Sequence, residues 1–149
     1  MYKNILLPHD GSDLSSAALK QAILFAKSLG AKLTVMHVVQ PFHLNVRTWA
    51  TPHDMMGKIE KDHDVGGIED ARKMLALVQN EAKAQGIDCG SVAILGEQPF
   101  QSIIDQAVTS GCDMIMMASH GRRGLEGLLL GSETVKVLTH SKIPVLVVR

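Results

Sequence analysis

The sequence predicts an α/β domain whose mainly parallel sheet is covered by helices on both faces. Three observations predict it. Short apolar or β-branched runs alternate along the chain with segments of three- and four-residue periodicity. The order of these segments reads βαβαβαβαβ, the pattern of parallel strands joined by crossover helices. The 149 residues, 46% hydrophobic but with only five aromatics (three Phe, one Trp, one Tyr), suffice for one domain with an aliphatic core.

Taken in order, Asn4–Pro8 reads as the first strand. Leu14, Ala18, Ala22, Phe25, Ala26 and Leu29 then form one face of a helix that Gly30 ends. Lys32–Val39, KLTVMHVV, is a second strand, rich in β-branched residues. The next clear helix places Ile68, Ala71, Leu75, Val78 and Ala82 at helical steps before Gly86. A third strand covers 91–95. Pro99 suits a first helical turn, Phe100, Ile103, Ile104, Ala107 and Val108 face inward, and Gly111 closes that helix. Met114–Ala118 is a buried fourth strand; a short helix through Val135 and Leu138 leads to a fifth strand over 143–148, IPVLVV.

Between the second strand and the second helix lies an irregular stretch, 41–66. Pro41, Trp49, the Thr51–Pro52 step and Met55–Met56–Gly57 argue for a connection with a helical turn from Asp54 that breaks at Gly66–Gly67. It reads as a surface excursion covering the sheet edge or as a lid over the crevice. His43, His53 and His63 lie in it at a spacing that matches no standard metal site.

Several classes are set aside by composition. The 15 basic and 15 acidic residues balance, so a broad nucleic-acid or membrane-surface footprint is not expected. No apolar run approaches the ~18 residues that span a bilayer, and the start of the chain shows no basic flank or cleavage site. Cys89 and Cys112, far apart and outside any CxxC pattern, fit reduced thiols, and a cytoplasmic location is expected. There is no P-loop, no G-x-G-x-x-G after the first strand and no nucleophile elbow; with no catalytic base evident, the expectation is a non-enzyme with at most slow incidental turnover of a bound ligand.

The stretch 113–132, DMIMMASHGRRGLEGLLLGS, carries the candidate chemistry. Gly121, Gly124, Gly127 and Gly131 let a backbone turn and approach a ligand, successive N–H groups in such a turn make an anion-binding concavity, and the next helix adds its positive end. Ser132 is an N-cap candidate whose hydroxyl and N–H also suit a terminal phosphate. Arg122 and Arg123 read either as solvated charges or as phosphate ligands, and His120 either as a tunable donor or as a turn residue. At the other candidate loop, Pro8–His9–Asp10–Gly11–Ser12, Asp10 suits an adenine amino group, ribose hydroxyls or Mg2+, or else a local turn. His37, inside an apolar strand, reads as a core or sheet-face residue. By analogy with doubly wound sheets, a strand order 3-2-1-4-5 brings both loops to the crevice between strands one and four.

From Ala118 the pattern A-x2-G-x9-G-S resembles the G-x2-G-x9-G-[S/T] motif of ATP-binding universal stress proteins, with alanine for the first glycine. YKNILLPHDGS, VMHVV, LGEQPFQSIIDQA and SKIPVLVVR resemble the same family in chain order. The resemblance implies a single Rossmann-like domain, of the adenine nucleotide alpha hydrolase-like kind, over 1–149, and a regulatory stress-response protein that holds ATP with Mg2+. Asp10 and Val38 would face adenine, with Pro8 and His9 on the same wall. Met117 and Ala118 would lie near ribose and phosphates, and Gly121, Gly131 and Ser132 would hold the phosphate chain, with His120, Arg122, Arg123 and Glu133 completing the contacts. It also implies a homodimer through the last strand (Ile143, Val145, Val147) and a protein partner not identified by sequence. The competing reading is a nucleotide-free homodimeric interaction module.

Overall fold

In the computed structural model, which describes residues 1–43, 53–120 and 130–149, five parallel strands run in the order β3-β2-β1-β4-β5. The chain reads β1 (Asn4–Pro8), α1 (Asp13–Leu29), β2 (Lys32–Val39), α2 (His53–Ala84), β3 (Cys89–Leu95), α3 (Pro99–Thr109), β4 (Met114–Ala118), α4 (Ser132–His140) and β5 (Val145–Val148). Each strand's side chains alternate between two cores. Leu7, Val35 and Met116 pack with Ala18, Ala22, Ala26, Leu75 and Ala82 beneath α1 and α2. Leu6, Met36 and Met117 pack with Ile103, Ala107 and Val137 beneath α3 and α4. β4 is buried over its whole length, so its methionines serve both sides of the sheet.

Several boundaries differ from the sequence expectation. The largest difference is α2: it does not break at Gly66–Gly67 but runs unbroken from His53, so the helical part of 41–66 is no irregular insertion. A Cβ at Gly67 would come within 2.9 Å of Val39 Cγ1, so the glycine permits close approach of α2 to the end of β2 rather than a break. The adjoining chain is tied to the same helix. Phe42 N–H donates to Asp64 Oδ1 (2.9 Å), the Phe42 ring stacks on His63 (4.3 Å between centroids), and His43 lies 3.6 Å from Glu97. The proposed lid residues 44–52, Trp49 among them, lie outside the described residues.

β3 begins two residues earlier than periodicity suggests, at Cys89, because it pairs with β2 from Leu33 onward. β5 begins later, at Val145. The Ser141 hydroxyl binds both the N–H and the C=O of Ile143, which turns that residue out of the strand. Leu14 and Val108, assigned to inner faces, are exposed: Leu14 lies in the first turn of α1, where Ser15 takes the buried position, and Val108 lies one step off the Ile103–Ala107 stripe. On α4 the core residue is Val137; Val135 and Leu138 are exposed.

The two sheet edges are treated differently. On β3, Gln79 reaches from α2 to donate to the Cys89 carbonyl and accepts from the Ser91 hydroxyl (3.3 Å). The β5 edge exposes Leu146 beside a shallow groove shared with Leu24 and Phe25 of α1. Both cysteines are buried and reduced; burial pushes the Cys89 thiol from 9.0 up to about 11 and raises Cys112 as well, so both stay protonated near neutrality.

Candidate functional site

The strand order reverses between β1 and β4, and a cleft of about 530 Å3 opens at the carboxyl ends of the strands there. Its size lies within the ~300–1,000 Å3 of small-molecule sites. Pro8, His9, Asp10 and Val38 line one wall, and Met117, Ala118, His120, Gly131, Ser132 and Glu133 line the other. All ten candidate residues in the described part of the chain thus meet at one cleft. Gly121, Arg122 and Arg123 lie outside the described residues.

The β1 wall is built by hydrogen bonds that start at His9. Its N–H donates to the Met36 carbonyl (2.8 Å), which extends the β1–β2 ladder by one residue. His9 Nδ1 accepts from Gly11 N–H (3.2 Å), and its carbonyl receives His37 Nδ1 (2.7 Å). Since a carbonyl only accepts, His37 carries its proton on Nδ1. Asp10 Oδ1 accepts from the amide and the hydroxyl of Ser12 (3.0 and 2.6 Å), an Asx turn that aims the chain into α1. Ser12 then caps α1 by accepting from Ser15 N–H (3.2 Å). Ser12 thereby fixes the orientation of the Asp10 carboxylate at the cleft.

The β4 wall is built differently. Ser119 N–H donates to the Val148 carbonyl (2.8 Å), and the Ser119 carbonyl accepts from Gly131 N–H (2.8 Å), which clamps the two ends of the glycine-rich stretch together. The sequence alone did not single out Thr134, whose buried hydroxyl bridges the Ala118 and Ser119 carbonyls at 3.2 Å each. A hydroxyl residue two places after a Gly–Ser pair at a helix start was the available signal. Gly131 fits for a steric reason. Its φ is −61°, but a Cβ there would meet His120 Cα and the Ser119 carbonyl oxygen at 3.3 Å.

Ser132 is not the N-cap. Gly131 is, and no side chain among the described residues caps α4, so Ser132 is the first helical residue. The first-turn amides of a helix have no intrahelical acceptor and carry its positive end. Three helices, α1, α3 and α4, begin around this cleft. α1 is capped by Ser12; at α3 the Phe100 amide is taken by Glu133 Oε2 (2.8 Å); α4 opens without such a cap. Nearby, His120 Nδ1 meets Ser119 Oγ (3.0 Å), while its Nε2 is enclosed with no hydrogen-bond partner among the described residues. An uncapped helix start beside an enclosed imidazole nitrogen suits an anion with further oxygens to share.

Ala118, in place of the motif's glycine, introduces no strain, since no described non-glycine residue has positive φ. Ala118 belongs to the core beneath α1, opposite Met117. Pro99, Ile103 and Ser15 also line the cleft and add an apolar floor and a hydroxyl. No lysine or arginine is among the described lining residues, and no group of three or more His, Cys, Asp or Glu residues there is placed to hold a metal ion. No described helix is long and apolar enough to cross a membrane.

The whole chain, 1–149, matches the model of the universal stress protein family. It is 29% identical to universal stress protein YxiE of Bacillus subtilis over 153 residues, with both chains fully covered. Among solved structures it is similar to MJ0577 of Methanocaldococcus jannaschii (29% identity, TM-score 0.83, 99% of this chain and 96% of that one). It is also similar to a universal stress protein in complex with cAMP (25% identity, TM-score 0.69, 99% and 97% covered).

Proposed function

Because the chain belongs to the universal stress protein family, we propose that it binds an adenine nucleotide, ATP with Mg2+, as a regulatory ligand of a cytoplasmic stress response. The observation that carries this reading is the uncapped start of α4 facing the cleft between β1 and β4. A similar protein's complex with cAMP supports the adenine nucleotide class. In this reading Asp10 and Val38 hold adenine, with Pro8 and His9 on the same wall. Met117 and Ala118 lie along the ribose and phosphates. The amides of 132–134 and the Ser132 hydroxyl take phosphate oxygens, together with His120, Gly121, Arg122 and Arg123. Glu133 contributes through its main chain, since its carboxylate is committed to Phe100.

Mg2+ asks little of the protein, because it keeps several waters and binds chiefly through phosphates; when bound it neutralises phosphate charge. Asp10 is the carboxylate at hand to meet it or its waters. Binding rather than turnover is the function: ordering the 121–132 stretch around phosphates would change a surface read by a protein partner, coupled through the differential affinity of the two loop states.

A second reading, a nucleotide-free homodimeric module, is favoured by the β5 edge, where Leu146 is exposed beside Leu24. Val145 and Val147 belong to that edge strand, whereas Ile143 precedes it and would contribute only from the turn. Calorimetric titration of nucleotide-free protein with ATP-Mg2+, beside a Gly121→Val variant, separates the two. Saturable binding lost in the variant supports the nucleotide reading; a folded, dimeric wild type that binds nothing overturns it.

A further inference from the structure

Resting on the nucleotide reading, we infer that Glu133 is a positioning residue: its carboxylate locks the start of α4 onto α3 and so sets the phosphate-facing amides, without itself touching ligand. α3 cannot complete its own N-terminus. Gln98 makes no side-chain cap and Pro99 has no N–H to offer. Phe100 N–H is therefore the first amide of that helix in need of an acceptor, and Glu133 Oε2 supplies it across the interface at 2.8 Å. The other oxygen, Oε1, accepts from Lys136 Nζ at 2.8 Å, and that ammonium stands 5.4 Å from the centre of the Phe100 ring. His140, one turn further along α4, meets the same ring at 5.3 Å. One face of α4 is thus bolted to the first turn of α3 through a single aromatic residue and a single carboxylate.

The bolt has two effects at the cleft. It fixes the second residue of α4, between the Gly131 amide that binds Ser119 and the Thr134 hydroxyl that binds the Ala118 and Ser119 carbonyls. It also holds a negative charge against Phe100 and Lys136, within one turn of amides that would receive phosphate, where a loose carboxylate would repel the ligand. The neighbouring pair with Lys136 is exposed enough to matter little alone; the bond to the Phe100 amide is the part that positions.

The test compares Glu133→Gln with Glu133→Ala. Glutamine keeps an acceptor for Phe100 N–H and loses the charge; alanine loses both. ATP affinity, read by calorimetry, is expected to stay within about twofold in E133Q and to fall about tenfold in E133A. Amide hydrogen exchange in the nucleotide-free protein supplies the second readout: E133A accelerates exchange at Phe100 and also at Gly131, and E133Q does not. Equal loss of affinity in both variants would make Glu133 a direct ligand and overturn the inference. So would unchanged Gly131 exchange in a folded E133A protein, even where wild type binds no nucleotide. A wild type that fails to bind while Gly131 responds to E133A leaves the positioning role standing and overturns only the nucleotide reading. E133A is checked for folding by thermal melting, and Glu133→Ser serves as the milder truncation.

Discussion

The two walls of the cleft are made from similar parts, a strand end followed by a glycine and a helix start, yet they finish their hydrogen bonding in opposite ways. At α1 side chains complete the helix start: Asp10 holds Ser12, Ser12 holds Ser15, and His37 holds the His9 carbonyl. At α4 the protein holds the backbone only behind the cleft, through Thr134 and the Gly131–Ser119 bond, and leaves the front of the helix without a capping side chain among the described residues. A wall whose helix start is capped can offer shape and an oriented carboxylate. A wall left incomplete offers attraction. Under the proposed nucleotide reading, this contrast agrees with base and ribose on the first wall and anionic oxygens on the second.

The sharpest attempt to break this contrast is Gly131→Val. Its side chain meets backbone at 3.3 Å on two sides, so ATP affinity should fall more than tenfold, about 1.4 kcal/mol or more, in a titration of the variant. Thr134→Val comes next, because it removes the buried hydroxyl shared by the Ala118 and Ser119 carbonyls, of which only the Ser119 carbonyl keeps the Gly131 N–H. Chemical denaturation should show a loss of about 1–3 kcal/mol, with weaker ATP binding alongside. On the opposite wall, Ser12→Ala should cost about 1 kcal/mol of stability while changing ATP affinity less than Thr134→Val does; a larger affinity loss would mean that the α1 start contributes to the ligand as much as the α4 start does. The smallest effect is expected for Ala118→Gly. Restoring the motif glycine should lower stability by about 0.5–1 kcal/mol and leave ATP affinity unchanged, since the methyl belongs to the core beneath α1. Tighter binding in that variant would show that the methyl crowds the ligand.

The elements that periodicity made legible are those whose burial is one-sided and regular: α1 from Ala18 to Ala26, and β4 with its unbroken apolar run. The strand order came by analogy and agrees with the sheet. What sequence did not show are features fixed by contact between distant segments. Gly66–Gly67 looks like a helix break until Val39 is seen against Gly67. Ser132 looks like a cap until the Gly131 amide is found on Ser119, which moves the helix start by one residue. Glu133 looks like one more residue of a ligand loop until its carboxylate is found on the start of another helix. In each case the local sequence permits two conformations, and a partner 12 to 33 residues away decides between them.

The unequal edges of the sheet bear on stoichiometry. Gln79 stands across the main chain at the outer side of β3, whereas β5 carries its outward groups beside exposed Leu146. Copies joined β5 to β5 would turn their β3 sides outward, where Gln79 already takes the Cys89 carbonyl. A two-fold pairing of that kind would use the same edge of both copies and so would close at two.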